Sequence, residues 1–122
     1  MNHRPITQEF AERFAEEWIA AWNAHDLPRI LSHYEDDFEM SSPIIIEIAG
    51  EPSGVLRGKK NVGAYWEKVL GLSPDLRFEK LGVFPGVRSL AIHLRNQKGR
   101  LSVEVFEIGA TGRVTRAAAH HT

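Results

Sequence analysis

The stretch WIAAWNAHDL at residues 18–27, followed by YEDDF at residues 34–38, decides how this chain folds. Trp18 and Trp22 continue a series of aromatic residues at four-residue spacing, which places them on one face of a helix predicted over residues 7–23. Two indole rings on one helical face are costly to expose to water. The rest of the chain must therefore cover this face, and a cavity left there would be the natural place for function.

The composition of the 122-residue chain is typical of one globular domain, with 43% hydrophobic and 25% charged residues. The 15 basic and 16 acidic side chains nearly balance, and no basic run indicates nucleic acid or an anionic membrane as a partner. The absence of cysteine excludes disulfides, thiolate metal sites and a cysteine nucleophile. We expect a single domain over residues 1–122, cytoplasmic and without a membrane span.

Turn and capping residues divide the rest of the chain into short elements. Asp26 is expected to cap a short second helix, with Pro28 in its first turn. A strand over residues 38–42, an extended segment over residues 43–54 and a third helix from about residue 59 follow. Four strands are predicted over residues 76–84, 87–95, 100–108 and 113–120. Helices first and strands last predict an α+β domain whose helices cover one face of an antiparallel sheet.

The apolar pattern changes phase within LRFEKLGV, residues 76–83. Apolar residues fall on even positions before Glu79 and on odd positions from Leu81 onward, so an unbroken strand would swap its two faces. The sequence therefore predicts a β-bulge at this point, which would help to curl the sheet.

The NQKG turn at residues 96–99 determines which residues of the neighbouring strands share a face. A two- or four-residue loop there pairs Leu94 with Leu101 and His93 with Ser102. One face is then aliphatic and carries Leu90, Ile92, Leu94, Leu101, Val103 and Val105. The other face is mixed and carries Ala91, His93, Ser102, Glu104 and Phe106. Either the aliphatic face is the core, or the mixed face lines a cavity and the aliphatic face meets a partner subunit.

The order of these elements, with three short motifs, resembles the nuclear transport factor 2-like superfamily. The motifs are WNAHDL with YEDDF, LRGKKNV at residues 56–62, and EVFEI at residues 104–108 leading to GRV. The resemblance is to the branch of SnoaL-like polyketide cyclases and ketosteroid isomerases. It implies a cystatin-like cone, in which a curved antiparallel sheet wraps around three helices and leaves a deep, largely apolar pocket. It also implies that the mixed face lines the pocket and that the aliphatic face forms a homodimer.

The same resemblance places the reactive positions of ketosteroid isomerases on residues only partly suited to that reaction. The aspartate that moves the proton falls on Ser42, and the oxyanion-hole tyrosine falls on Trp18, whose indole donates a single N–H. The second acid of the oxyanion hole falls on Glu104, which keeps a carboxyl group. Steroid isomerisation is therefore not expected, although the pocket is.

Glu104 is the candidate acid–base residue, and His93 is its expected partner in proton transfer. A carboxyl group that faces an apolar cavity is disfavoured in its charged form, so its pKa should be raised. The alternatives are an exposed strand glutamate and a half-exposed histidine bonded to a neighbour. Ordinary core packing is the alternative for the aromatic residues of the expected ligand-binding set. That set is Trp18, Trp22, Met40, Ser42, Tyr65, Trp66, Ser102, Phe106 and His121.

The expected ligand is a small hydrophobic or amphipathic molecule. No metal or cofactor is expected, because the sequence has no His-x-x-x-His helix, phosphate-binding glycine loop or nucleophile elbow. Two functional hypotheses remain open. The chain is either an acid–base isomerase, cyclase or dehydratase, or a non-catalytic module for ligand binding or dimerisation.

Overall fold

A computed structural model describes residues 5–122, and within this range the chain forms four helices and six strands. The helices are α1 (Gln8–Asn23), α2 (Leu27–Leu31), α3 (Pro43–Ala49) and α4 (Lys59–Leu72). The strands are β1 (Tyr34–Ser41), β2 (Val55–Arg57), β3 (Phe78–Pro85), β4 (Ser89–Asn96), β5 (Leu101–Ile108) and β6 (Val114–His121). None of the described helices is long and apolar enough to cross a membrane.

The strands form one curved sheet in the order β2-β1-β6-β5-β4-β3. Neighbouring strands are antiparallel except for β1 and β6, which are parallel. Helix α1 packs on β3 and helix α4 packs on β1, so both cover the concave face. The fully buried side chains between these layers include Trp18, Tyr34, Phe38 and Phe106. The predicted α+β class, with a curved sheet around the helices, is confirmed.

Short polar side chains cap the first two helices, Thr7 at α1 and the predicted residue Asp26 at α2. Thr7 Oγ1 accepts a hydrogen bond from the Phe10 backbone N–H at 3.0 Å, and Asp26 Oδ1 accepts one from the Arg29 N–H at 3.2 Å. Each cap satisfies a backbone donor that has no partner inside its helix. Strand β1 begins at Tyr34, four residues before the predicted strand at residues 38–42.

The segment at residues 43–54, predicted to be extended, contains helix α3, so the structure has four helices instead of three. Ser42 caps this helix by accepting a hydrogen bond from the Ile44 N–H at 3.1 Å, and Pro43 occupies its first turn. The helix ends at Gly50, which has a left-handed φ of 69°. Three consecutive isoleucines favour a strand when they are considered alone, which agrees with the extended segment predicted from the sequence. In the structure the serine–proline capping signal prevails, and the segment is helical.

The predicted bulge in β3 is confirmed. The pairing of β3 with β4 shifts between Lys80 and Gly82, so Leu81 is the extra residue. Its side chain is partly exposed, and Val83 beyond it returns to the core. The phase change in the sequence therefore marks the bulge in this edge strand, which packs against α1.

The hairpin between β4 and β5 has a register one residue away from the prediction. The Asn96 N–H donates to the Arg100 carbonyl at 2.9 Å, and Gly99 between them has a φ of 80°. The loop therefore contains three residues, a length that commonly ends in a left-handed glycine. As a result Ile92 pairs with Glu104.

This one-residue difference reverses the faces of β4, because successive strand residues point to opposite sides. Leu90, Ile92 and Leu94 are buried on the concave face. His93 pairs with Val103 on the outer face. The predicted aliphatic face is therefore wrong in its β4 half, and the predicted mixed face is wrong in the same half.

Candidate functional site

A cavity of about 610 Å³ lies between the concave face of the sheet and helices α1, α3 and α4. Its inner wall is largely aromatic and aliphatic, and includes Trp18, Trp22, Met40, Tyr65, Trp66 and Phe78. Its mouth is polar, and includes Glu47, Asn96, Gln97, Lys98, Arg100 and Thr122. Trp18 and Trp66 thus contribute to one shared cavity, as the sequence predicts.

Glu104 on β5 is the buried ionisable group of this wall. Only 7% of the residue is exposed, and within residues 5–122 its carboxyl group has no hydrogen-bond or ion-pair partner. Burial disfavours the charged form and raises the pKa of Glu104 to about 8. The inward position and the direction of the pKa change agree with the sequence-based prediction. At neutral pH the side chain is mainly a neutral carboxylic acid.

Tyr34 on β1 lies near Glu104 and is held by Trp18. The indole Nε1–H of Trp18 donates to the Tyr34 hydroxyl oxygen at 2.9 Å in the buried core. Burial raises the pKa of Tyr34, and the negative charge of an ionised Glu104 raises it further. Because its only N–H donates to Tyr34, Trp18 lines the cavity without a free hydrogen-bond donor.

A second polar group lies where β1, β6 and α4 meet. Ser42 is buried, and its Oγ lies 3.4 Å from Nε2 of His121. Burial raises the pKa of Tyr65 to about 12, although a hydrogen bond with the Ser42 hydroxyl acts in the opposite direction. Burial, and then the charge of His120, lower the pKa of His121. These three side chains therefore form a polar strip beside the Glu104 carboxyl group.

The remaining tryptophan rings close the inner wall. The rings of Trp22 and Trp66 meet edge to face at 5.3 Å, and Trp18 stacks on Phe78 at 5.6 Å. Among the described residues, the Trp22 indole N–H is the one fully buried side-chain polar atom without a hydrogen-bond partner. This wall offers a ligand a broad aromatic surface.

Three predicted site residues lie outside the cavity. The predicted pairing of His93 with Glu104 is wrong, because the hairpin register places His93 on the outer face. Phe106 lies deeper in the core, where its ring contacts those of Phe14 and Trp18. Ser102 pairs with His121 at the end of β5 but does not line the cavity.

Two features of the site were missed at the sequence level. Tyr34 is not among the site residues expected from the sequence, although it lies near Glu104. Ile44 and Glu47 line the cavity from α3, and were missed because that segment was predicted to be extended. The serine–proline pair at residues 42–43 was the available signal for this helix.

Comparison with known proteins identifies the family. The family model for the SnoaL-like domain matches residues 15–122. The chain belongs to the SnoaL-like family. Comparison of this SnoaL-like chain with curated proteins gives no match.

Solved structures agree with this assignment. A SnoaL-like protein of unknown function from Burkholderia thailandensis E264 is 60% identical, with a TM-score of 0.94 over 98% of this chain and 99% of that one. A candidate isomerase of the SnoaL-like family from Agrobacterium tumefaciens C58 is 16% identical, with a TM-score of 0.76 over 94% and 99% of the two chains. A candidate ketosteroid isomerase from Kribbella flavida is 14% identical, with a TM-score of 0.74 over 93% and 78%. The last two show that the SnoaL-like chain shares their fold.

The arrangement suits proton transfer in an apolar setting. A neutral Glu104 can donate a hydrogen bond or a proton to an oxygen atom of a ligand. No group of three or more His, Asp or Glu side chains among residues 5–122 of this SnoaL-like chain is placed to hold a metal ion. The Glu104 carboxyl group in the cavity wall is a side chain that can offer acid–base chemistry to a ligand.

Proposed function

We propose that this SnoaL-like protein binds a small, mostly apolar molecule with an oxygen function and converts it by acid–base chemistry. The reaction is an isomerisation, a cyclisation or a dehydration, with Glu104 as the acid. One observation carries the proposal: a buried carboxyl group without a partner among the described residues lies in the wall of an aromatic cavity. A neutral acid in such a place stabilises negative charge that develops on a carbonyl or hydroxyl oxygen.

The size and lining of the cavity support a small amphipathic ligand. Its volume of about 610 Å³ falls within the roughly 300–1,000 Å³ common for small-molecule sites. The apolar body of the ligand would pack against Trp22, Trp66 and Phe78. An oxygen function would reach Glu104, and further polar groups would lie at the mouth near Lys98 and Arg100.

A non-catalytic binding module is the second candidate function. The observation that favours it is Ser42, which stands where the resemblance to ketosteroid isomerases expects the aspartate that moves the proton. A serine hydroxyl at its ordinary pKa is a poor base. A protein of this kind would bind the same class of molecule and release it unchanged.

We also propose that the protein is a homodimer formed through the outer face of the sheet. Val103 and Phe84 are exposed there, by 37% and 60%, and apolar side chains on an open sheet face favour association. Four side chains of alternating charge run across neighbouring strands of the same face: Arg57, Glu39, Arg116 and Glu107. In a two-fold pair, positive groups of this row can lie against negative groups of the second copy.

A thermal-shift screen with steroids, terpenoids and aromatic polyketides tests the proposed function, followed by turnover assays on the compounds that bind. We expect the wild type and His93→Gln to be stabilised equally, because His93 lies outside the cavity. Glu104→Gln should keep binding and turn the ligand over much more slowly than the wild type. Binding without turnover by the wild type would favour the non-catalytic module. Absence of any stabilising compound would contradict both candidate functions.

A further inference from the structure

We infer that His121 is the proton acceptor of this site and works opposite Glu104 on an enolisable ketone or aldehyde that lies across β5 and β6. The inference rests on the proposed function and adds to it a second reactive residue and a class of substrate.

The register of β5 and β6 places the two side chains on the same face. Glu104 pairs with Ala119 and Ser102 pairs with His121, so Glu104 and His121 are diagonal neighbours. Both line the cavity. Diagonal residues on antiparallel strands are about 7–8 Å apart, which leaves space for a flat carbonyl group between the carboxyl group and the imidazole ring.

Ser42 lies beside the imidazole in the free protein and is a positioning residue. Its Oγ is itself fixed by the hydrogen bond from the Ile44 N–H, and its backbone N–H donates to the Gly54 carbonyl at 2.9 Å. The separation of 3.4 Å between Ser42 Oγ and His121 Nε2 is long for a hydrogen bond. A ligand can therefore replace this contact at little cost, since catalytic contacts commonly tighten only when the ligand is bound.

The surroundings of the two residues favour the protonation states that the reaction needs, a neutral imidazole and a neutral carboxylic acid. Burial lowers the pKa of His121 and raises that of Glu104, so the neutral base and the neutral acid coexist near neutral pH. His121 is also exposed at the mouth, where it can exchange a proton with water. The other titratable or charged groups around the pair are Tyr34, Tyr65, Glu47, Lys98, Arg100 and His120.

The reaction proceeds in two balanced steps. His121 removes a proton from the carbon next to the carbonyl, the electron pair of that C–H bond becomes the carbon–carbon double bond, and the carbonyl oxygen takes the proton of Glu104. In the second step the protonated His121 returns a proton to the same carbon or to a conjugated one. Glu104 then regains its proton from the enol oxygen. No oxidant, reductant or further reactant is needed.

Deuterium uptake by 2-indanone and 2-tetralone in D₂O, followed by proton NMR, tests this inference. These apolar ketones carry acidic C–H bonds next to the carbonyl group. We expect the wild type to accelerate the exchange and His121→Gln to slow it by about a hundredfold. His93→Gln is the matched control, because this histidine lies on the outer face and does not line the cavity.

The pH profile gives a readout that a purely structural role would not change. The wild-type rate should fall on the acid side as His121 becomes protonated, and on the alkaline side as Glu104 ionises at about pH 8. His121→Gln should lose the acid limb and Glu104→Gln the alkaline limb.

Quenching of tryptophan fluorescence separates failure of the inference from failure of the proposed function. If the ketones bind but are not exchanged, or if His121→Gln exchanges them as fast as the wild type, the inference is overturned and a binding site remains. If neither ketone binds, the result counts against the proposed function and against the inference that rests on it.

Discussion

Replacing Glu104 with glutamine should change how the stability of the protein depends on pH. Burial raises the pKa of this carboxyl group from the ordinary value of 4.5 to about 8. The folded state therefore holds the proton more tightly than the unfolded state. The stability that this group contributes is fully present below about pH 4.5 and is lost as the pH rises to about 8.

The size of the effect follows from the two pKa values. Their difference of about 3.5 corresponds to about 5 kcal/mol of unfolding free energy. Glutamine has nearly the same shape and does not ionise. Between the two pH limits, the free energy of unfolding of Glu104→Gln relative to that of the wild type should therefore rise by about 1.4 kcal/mol per pH unit. This is a large part of the stability of an ordinary domain.

Urea denaturation of both proteins across this pH range measures the effect. Subtracting the two free energies removes the titration of groups that both proteins share, such as Glu12 and Glu17, whose pKa values are lowered by hydrogen bonds from Lys80 and Arg29. The difference should grow steadily with pH. A difference that stays constant from pH 4.5 to about 8 would refute the assignment of Glu104 as a buried neutral acid.

Three further substitutions test other parts of the structure. Trp18→Phe removes the buried hydrogen bond to Tyr34, whereas Trp22→Phe removes an N–H that has no partner among the described residues. The loss in the free energy of unfolding should therefore be about 1–3 kcal/mol larger for Trp18→Phe. Equal losses in urea denaturation would contradict this. Val103→Arg should convert a dimer to a monomer in sedimentation, and a wild type that is already monomeric at micromolar concentration would exclude the proposed interface. Ser42→Ala should cost about 1 kcal/mol and speed hydrogen exchange at the first turn of α3, and unchanged exchange there would show that the cap is dispensable.

Features of the fold that depend on local sequence were predictable. Thr7 and Asp26 begin their helices because a short side chain that accepts a hydrogen bond is a local signal. The phase change around Leu81 is also local, since it needs only the alternation of one strand. Helix α3 was missed because its isoleucines favour a strand when considered alone, whereas the cap at Ser42 favours a helix.

The candidate site depends on register and on contacts distant in sequence, and these were only partly predictable. Glu104 was placed inward correctly, but His93 was not, because one residue of loop length reverses the faces of β4 relative to β5. The contact between Ser42 and His121 joins positions 79 residues apart through the parallel pairing of β1 and β6. No short-range pattern in the sequence contains that pairing.

Carboxyl-detected NMR titration of Glu104, with Glu104→Gln to assign the signal, is the most direct test of a neutral acid in the cavity wall. The carboxyl resonance should titrate at about pH 8 in the free protein and remain in its protonated position at neutral pH. A midpoint close to the ordinary value of 4.5 would contradict the neutral acid, and with it the proposed chemistry of the site.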